Sequence, residues 1–434
     1  MISTHVDTLL HAQVASNGPG VAVAIIKHGQ VDYCQGYGLA NLEWQQPVTP
    51  HTVFGLGSIT KQFTATAIML LERQGKLRLD DAIQTYLPEY PTHGHHITLT
   101  HLLTHTSGIS NFVTNRGFWE QPSLVAGSID EVIALFKDLP FDFEPGTQYG
   151  YSNSGYVLLG HILERLLDMS YAEVIEHLIF APLGMAHSYY LDPEPIIPSR
   201  ASGYVRTKQG YQHARFLTAA VKHAAGGLGT TLEDMIRWDA TLREQRLLDQ
   251  GTLERMYAPV QLVDGRKENY GLGWVLGHYR GHDVLCHGGG VPGFSAFFGR
   301  FLADGVTIIV LSNQGDFNAF GLAGDISYLV LDGPSLTRTS ISLDPEMSRK
   351  VIGTYRERLG ALEVREEEQT LYLSDQTAHH RLVPMNETSF YWAEDEDVEV
   401  HFENPNEQGI YERLRVIWPF AWFTAERSEG ERDV

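Results

Sequence analysis

The chain has 434 residues, 43% of them hydrophobic, and a formal net charge of −21 at pH 7. This length predicts a large domain with a smaller one, and the negative charge argues against nucleic acids and anionic membranes as partners. No apolar run is long enough to span a bilayer. The cysteines, Cys34 and Cys286, are too few for a disulfide scaffold. Since no Lys or Arg precedes Lys27, no secretory signal is expected and the predicted location is cytoplasmic.

The N-terminal part of the chain is predicted to contain a helix, a hairpin and a second helix. Apolar residues over 2–14 recur at helical spacing. The β-branched run 21–26 is followed by a turn at His28 and a returning strand, which is typical of a β-hairpin. A helix that starts at Ser58 is expected to reach about residue 74, with Gly75 as its stop signal.

The middle of the chain is mainly helical until a second group of strands begins. Thr98 is expected to cap a short helix that carries His101. His101 and His105 are four residues apart and could bind a metal, but no glutamate follows His101 as a metalloprotease helix requires, so a packed helix is favoured. The later predicted elements are helices over 157–167, 232–242 and 317–331, a strand over 284–287, and a hairpin over 294–301 and 306–311.

The last quarter of the chain has a different pattern, with short alternating runs separated by polar turns. Strands predicted there cover 370–373, 390–392, 398–402, 414–418 and 422–424. About half of the negative charge excess also lies here, which we interpret as a solvated surface. The predicted fold class is therefore α/β (α+β type): an antiparallel sheet flanked by helices with a helical subdomain over residues 1–332, a linker, and a small β-barrel over 345–434.

The pair Ser58 and Lys61 is the first candidate for catalytic chemistry. Residues three apart share one face of a helix, so the hydroxyl and the amine are expected to lie side by side. A lysine can take the proton of a serine hydroxyl if burial or a neighbouring charge lowers its pKa. Taken alone, this tetrapeptide is more typical of a capping serine with a solvated lysine than of a catalytic pair.

Two later motifs make the catalytic interpretation of Ser58 more specific. Tyr151-Ser152-Asn153 lies in a polar, glycine-rich loop, and His287-Gly288-Gly289 follows a predicted strand. Together with Ser58-x-x-Lys61, in this order, they resemble the signature of the serine β-lactamase and penicillin-binding-protein family. The flanking segments 102–108, 226–228 and 270–274 are similar to that family as well, so the resemblance covers about residues 18–331.

The resemblance implies a role for each catalytic motif residue. Ser58 would be the acylated nucleophile, and Lys61 would share or relay its proton. Tyr151 would act as a base toward Ser58 and then as an acid toward the leaving group. The backbone N–H groups of Ser58 and Gly290 would form an oxyanion hole.

The remaining motif residues are implied to bind the substrate. Asn153 would hold the acyl-side amide and orient Lys61, while Gly289 would let the substrate lie against the strand. His287 stands where β-lactamases place a lysine that holds the substrate carboxylate. Because histidine is mostly neutral near pH 7, the branch with D-aminopeptidases and carboxylesterases is favoured over penicillin hydrolysis. The C-terminal barrel resembles the lipocalin-like barrels of some of these peptidases.

The predicted function is a serine hydrolase that acts through an acyl-enzyme on small esters or short peptides, including peptides with a D-residue. The alternatives are a penicillin-recognising sensor that acylates without turnover, a β-lactamase, and a cysteine hydrolase using Cys286 beside His287. The cysteine hydrolase is disfavoured because adjacent residues on a strand point to opposite faces. No cofactor or metal is expected, the partner is a small-molecule substrate, and a homo-oligomer is possible.

Overall fold

The computed structural model describes residues 2–114, 118–120, 127–331, 340–357, 360–374, 378–418 and 420–428. The chain divides into two compact units, Met1–Leu276 with Asp283–Leu331, and Gly277–His282 with Asp332–Val434. In the described ranges, no helix combines the length and the apolar character that crossing a membrane requires.

The helices alternate with strands along the chain. The α-helices are α1 (Ile2–Gln13), α2 (Thr60–Arg73), α3 (Leu99–Leu103), α4 (Ile129–Ala134), α5 (Asn153–Leu167), α6 (Tyr171–Ile175), α7 (Ala181–Leu183), α8 (Ala219–Gly226), α9 (Leu232–Glu244), α10 (Gln250–Met256), α11 (Ala319–Val330) and α12 (Pro345–Val351). Short 3₁₀ helices cover Gly57–Ile59, Ile83–Thr85, Phe112–Thr114 and Phe118–Glu120, and a π-helical turn covers Glu176–Phe180.

The strands fall into one large sheet, several small ones and a barrel. Before residue 332 they are β1 (Val21–Lys27), β2 (Gln30–Tyr37), β3 (Leu39–Asn41), β4 (Gln46–Pro47), β5 (Phe54–Gly55), β6 (Tyr189–Tyr190), β7 (Tyr204–Thr207), β8 (Gly210–His213), β9 (Leu228–Thr230), β10 (Val260–Gln261), β11 (Lys267–Glu268), β12 (Val275–Tyr279), β13 (His282–Val291), β14 (Phe294–Phe301) and β15 (Val306–Ser312). After it they are β16 (Gly353–Glu357), β17 (Gly360–Glu367), β18 (Thr370–Ser374), β19 (His379–Pro384), β20 (Ser389–Trp392), β21 (Asp395–Pro405), β22 (Tyr411–Trp418) and β23 (Ala421–Arg427).

The large sheet joins strands from distant parts of the chain in the order β12-β13-β14-β15-β1-β2. Strand β1 pairs antiparallel with β15, with Ala24 opposite Ile309. Nearly every residue of these two strands is buried, which shows that both faces of the sheet are covered. Helices α9 and α11 pack on β15. The predicted antiparallel sheet with helices is confirmed.

The helical part of the first unit is organised around α2. This helix contacts α5, α6 and α8, and its residues Thr60 to Met69 are buried on all sides. Phe63 stacks on Trp238 of α9 at 4.4 Å between ring centroids. The predicted helix at Ser58 therefore exists, but a 3₁₀ turn over Gly57–Ile59 carries the serine and α2 starts at Thr60.

Two details of the first unit differ from expectation. The strand predicted to end at His287 continues through the glycines to Val291, because Gly288, Gly289 and Gly290 pair with β14 in regular register. His105 lies beyond α3 with a φ of 59°, so it does not share a helical face with His101. The predicted cap of α3 at Thr98 is confirmed: its hydroxyl accepts the backbone N–H of His101.

The second unit is a closed antiparallel barrel, in which β16 to β23 pair in sequence and β23 returns to β16. Its core is formed by apolar residues of alternating positions, including Val364, Val400 and Leu414. The predicted C-terminal barrel is confirmed. Strands β16, β17 and β19 were not predicted, since charged and histidine residues interrupt their apolar alternation. Most of the predicted linker lies outside the described residues.

We predict that the barrel unfolds independently of the first unit. Val400 is fully buried in the barrel core, so Val400→Asp should abolish one of two calorimetric unfolding transitions and leave the other unchanged. Val31, which is 50% exposed in β2, offers the matched control Val31→Asp, which should leave both transitions in place. A single transition that shifts as a whole in Val400→Asp would contradict independent folding. A chain ending near Gly333 is expected to fold.

Candidate active site

Ser58 is held by a close approach between two backbone segments. Strand β5 leads into the 3₁₀ turn Gly57–Ile59, where Gly57 has a φ of +52°. A Cβ atom on Gly57 would lie 2.5 Å from the backbone nitrogen of Gly290 in β13. Because only glycine combines this φ with this contact, the serine is fixed beside β13 of the large sheet.

Lys61 follows one turn later and is completely buried. Its Nζ lies 3.1 Å from Ser58 Oγ, 2.8 Å from Asn153 Oδ1 and 2.8 Å from the carbonyl oxygen of Ala225 in α8. Among the described residues no carboxylate pairs with it. Burial therefore holds the pKa of the Lys61 amine well below its usual value.

The three contacts satisfy Lys61 in either protonation state, and it is burial that favours the neutral amine. A neutral lysine has two N–H donors and one lone pair, and the oxygens of Asn153 and Ala225 can only accept. If each takes one N–H, the lone pair remains for the hydroxyl proton of Ser58. An ammonium would instead donate to all three oxygens.

Tyr151 completes the group around Ser58. Burial raises the pKa of its phenol above the usual value for tyrosine, and the neighbouring Ser58 hydroxyl opposes this with a smaller effect. Lys61 Nζ lies 4.8 Å from the centre of the Tyr151 ring. A phenol with a raised pKa stays protonated at neutral pH, so it can donate a proton to another atom.

His105 and Asn111 position the loop that carries Tyr151 and Asn153. His105 Nδ1 accepts the backbone N–H of Ser152 at 3.1 Å, and its ring lies 4.2 Å from that of Tyr151. Asn111 Oδ1 accepts the backbone N–H of Asn153 at 3.2 Å. Sequence reasoning missed both roles. His105 stands in a segment similar to the family, but nothing distinguished Asn111 within the loop-rich region.

His287 lies within the sheet behind the pocket and is 4% exposed. Its Nδ1 donates to the carbonyl oxygen of Gly288 at 2.7 Å. Its Nε2 is therefore unprotonated and accepts a hydrogen bond from the hydroxyl of Tyr270 at 3.0 Å. Burial is the main cause that lowers the pKa of His287 to about 3. The side chain is therefore neutral at pH 7 and supplies no positive charge.

Two of the three glycines of β13, Gly289 and Gly290, face different surroundings. A Cβ on Gly289 would lie 1.9 Å from the carbonyl oxygen of Leu56, whereas a Cβ on Gly290 would meet nothing within 4 Å. The absence of a side chain at Gly289 thus allows β13 to pack closely against the segment before Ser58. Gly290 borders an open pocket.

This pocket has a volume of about 490 Å³ and includes Ser58, Asn153 and Gly290 in its lining. Apolar side chains form much of its wall: Phe112, Val113, Trp119, Val205, Leu217, Val221 and Val291. Two charged residues, Lys222 and Asp316, also line it. The described part of the chain contains no cluster of acidic, histidine or cysteine side chains suited to a metal ion.

A family model described as Beta-lactamase matches residues 6–330. The chain belongs to the β-lactamase family. The family resemblance inferred from the three motifs is thereby confirmed. Penicillin-binding proteins and D-aminopeptidases are among the relatives. The matched span includes every motif residue named above.

The relatives include proteins named for different activities. Penicillin-binding protein 4* of Bacillus subtilis (strain 168) is 28% identical over 89% of this chain and 91% of its own length. A D-aminopeptidase of Gluconobacter oxydans (strain 621H) is 30% identical over 80% of this chain, which spans 65% of that relative. The octameric penicillin-binding-protein homologue from Pyrococcus abyssi is 25% identical with a TM-score of 0.65, covering 98% of this chain and 100% of the other.

We predict that a methyl group added at Gly289 destabilises the protein, whereas one added at Gly290 does not. Gly289→Ala should lower the melting temperature markedly, because its Cβ would overlap the Leu56 carbonyl. Gly290→Ala is the matched control and should melt within about 2 °C of wild type, since its Cβ enters open space. Thermal unfolding followed by circular dichroism measures both. Equal melting temperatures for the two variants would show that the close approach at Gly289 is not required.

Proposed function

We propose that this member of the β-lactamase family is a serine hydrolase that forms an acyl-enzyme on Ser58. Its substrates are small esters and short peptide amides, including those with a D-residue. The observation that carries the proposal is the buried amine of Lys61, 3.1 Å from Ser58 Oγ and without a carboxylate partner in the described ranges. Such an amine is a base placed beside a nucleophile.

In the acylation step, the lone pair of Lys61 takes the hydroxyl proton as Ser58 Oγ attacks the substrate carbonyl carbon. The backbone N–H groups of Ser58 and Gly290 would stabilise the oxyanion that forms. Tyr151 then gives its proton to the leaving oxygen or nitrogen as the scissile bond breaks, and Lys61 returns a proton to Tyr151. In deacylation, water supplies the proton and the hydroxide that releases the acid from Ser58.

This scheme assigns the base differently from the motif comparison. The resemblance gave Tyr151 the role of base toward Ser58. The raised pKa of Tyr151 and the lowered pKa of Lys61 favour the opposite assignment, with the lysine as base and the phenol as acid. The structure gives the cysteine alternative no support, because Cys286 is fully buried and burial raises the pKa of its thiol.

The apolar wall of the pocket supports substrates that carry an apolar or aromatic group beside the scissile bond. Phe112, Trp119 and Leu217 offer such a surface next to Ser58. The D-aminopeptidase relative supports amides of D-residues. The octameric homologue supports a homo-oligomer as the working state.

We predict that a fluorophosphonate probe labels Ser58 alone. Ser58→Ala should abolish both labelling and hydrolysis of p-nitrophenyl butyrate, with a loss of several orders of magnitude, since the nucleophile is removed. Peptide mapping of the labelled protein identifies the residue. Cys286→Ser is the control and should keep its activity. Continued turnover after an initial burst of product would distinguish an enzyme from a sensor that is acylated once. Probe recovered on a residue other than Ser58 would refute the mechanism.

The pH dependence of kcat/KM should report the ionisation of Lys61. Only the neutral amine accepts a proton, so activity on a neutral ester should rise with pH through the lowered pKa of Lys61 and then remain level to pH 10. No fall is expected there, because the pKa of Tyr151 is raised.

The pH profile of kcat/KM must reflect Lys61 and not the histidines near the site or Lys222. The pKa of His287 is lowered to about 3 and that of His105 also lies well below its usual value, so neither titrates in the same range. Burial lowers the pKa of Lys222 to about 8, and Lys222→Gln is therefore the control that should keep the profile. A profile still rising at pH 10 would contradict a lowered pKa of Lys61.

Penicillins are predicted to be poorer substrates than esters or D-aminoacyl amides. A β-lactam carries a carboxylate that a permanent cation at position 287 would hold, but His287 is neutral and buried. The test compares kcat/KM for nitrocefin, p-nitrophenyl butyrate and D-alanyl p-nitroanilide. His287→Lys should move the ratio toward nitrocefin. A clear nitrocefin preference in the wild type would overturn this assignment.

A further inference from the structure

Lys222 is a cation in the pocket that the proposed mechanism does not use. It lies in α8, three residues before Ala225, whose carbonyl accepts from Lys61. Its side chain lines the same pocket as Ser58 and is only partly exposed. Over the ranges that the structure describes, no hydrogen bond or ion pair engages its ammonium group.

A second pocket shares Lys222 with the first, and its charged lining residues are all basic. It has a volume of about 320 Å³, shares Lys222, Leu217 and Val291 with the first pocket, and adds Arg200 and Arg215. Arg200 donates to the carbonyl oxygen of Asp192 and Arg215 to that of Trp119. Neither guanidinium forms an ion pair with a carboxylate in the described residues.

The charge of this region is opposite to that of the chain. The formal net charge is −21, yet three cations line the two joined pockets. The acid in the lining, Asp316, is exposed and already accepts the backbone N–H of Arg206 at 3.1 Å. Burial and then the charge of Arg200 lower the pKa of Lys222 to about 8, against the opposing effect of Asp192. The ammonium thus loses hydration without gaining a partner.

We propose that Lys222 binds a carboxylate carried by the substrate, on the acyl group or on the leaving group, with Arg200 and Arg215 making the adjoining pocket cationic. This inference rests on the proposed function, since it concerns the substrates of Ser58. A carboxylate would give Lys222 a charge-assisted hydrogen bond, about twice as strong as a neutral one. Lys222 lies on α8, whereas the position that the family comparison links to a β-lactam carboxylate, His287, lies on β13.

Two pairs of compounds that differ only in the carboxylate test the proposal. For the acyl side they are mono-p-nitrophenyl glutarate and p-nitrophenyl pentanoate, and for the leaving-group side D-alanylglycine and D-alanylglycinamide. In at least one pair, Lys222→Gln should lower kcat/KM for the compound with the carboxylate about 10- to 100-fold and leave that for the compound without it unchanged. Lys222→Arg should retain the preference.

The matched control is Lys76→Gln, which removes an exposed lysine beyond the C-terminal end of α2 and should change neither pair. Dissociation constants of the same compounds, measured by calorimetry on Ser58→Ala with and without Lys222→Gln, do not depend on turnover. If the wild type hydrolyses none of the compounds, the proposed function fails and these constants still decide the role of Lys222. Equal effects of Lys222→Gln on the compounds with and without the carboxylate, in both pairs, would overturn the inference.

Discussion

The site depends on the burial of one amine. Lys61 lies inside the first unit, where a charged ammonium would lose its hydration, and no carboxylate in the described residues compensates it. The neutral form avoids that cost, and the oxygens of Asn153 and Ala225 satisfy its two N–H groups. The same burial that disfavours the charge leaves a basic lone pair beside Ser58. Packing of α2 therefore determines the chemistry.

Close backbone approaches make this burial possible. Gly57 and Gly289 bring the segment around Ser58 against β13, where a Cβ on either residue would meet backbone atoms at 2.5 Å and 1.9 Å. Gly273 allows its own segment to approach α2 closely, since a Cβ on Gly273 would lie 2.7 Å from the carbonyl oxygen of Lys61. Side chains at these positions would separate the segments and admit water, which would restore the ordinary pKa of the lysine.

The carbonyl groups that accept hydrogen bonds from Lys61 and Thr64 belong to an irregular helix, α8. Within α8, His223 has a φ of 34° and a ψ of −138°, which breaks the helix immediately before Ala224 and Ala225. Their carbonyl oxygens then accept from Thr64 and Lys61 of α2, both at 2.8 Å. Such a conformation costs energy for a residue other than glycine and persists because its surroundings hold it.

Much of this could be predicted from the sequence, because its signals are local. The spacing of Ser58 and Lys61, the order of the three motifs and the hairpins of the large sheet follow from periodicity and short patterns. The contacts of Asn111, His105 and Ala225 join residues far apart in the chain, so no local signal reveals them. The neutral state of Lys61 is likewise a property of burial in the folded unit. Lys222 belongs to none of the sequence motifs, and only the folded structure shows that it lines the same pocket as Ser58.

The ionisation of Lys61 tests this account most directly. Lysine labelled with ¹³C at Cε reports the charge of each amine by NMR, and the signal missing in Lys61→Arg identifies Lys61. A titration should show that Lys61 is neutral at pH values where exposed lysines remain charged, with a pKa well below their value of about 10.4. A pKa of Lys61 at or above that value would show that the amine beside Ser58 is an ammonium, and it would contradict the account.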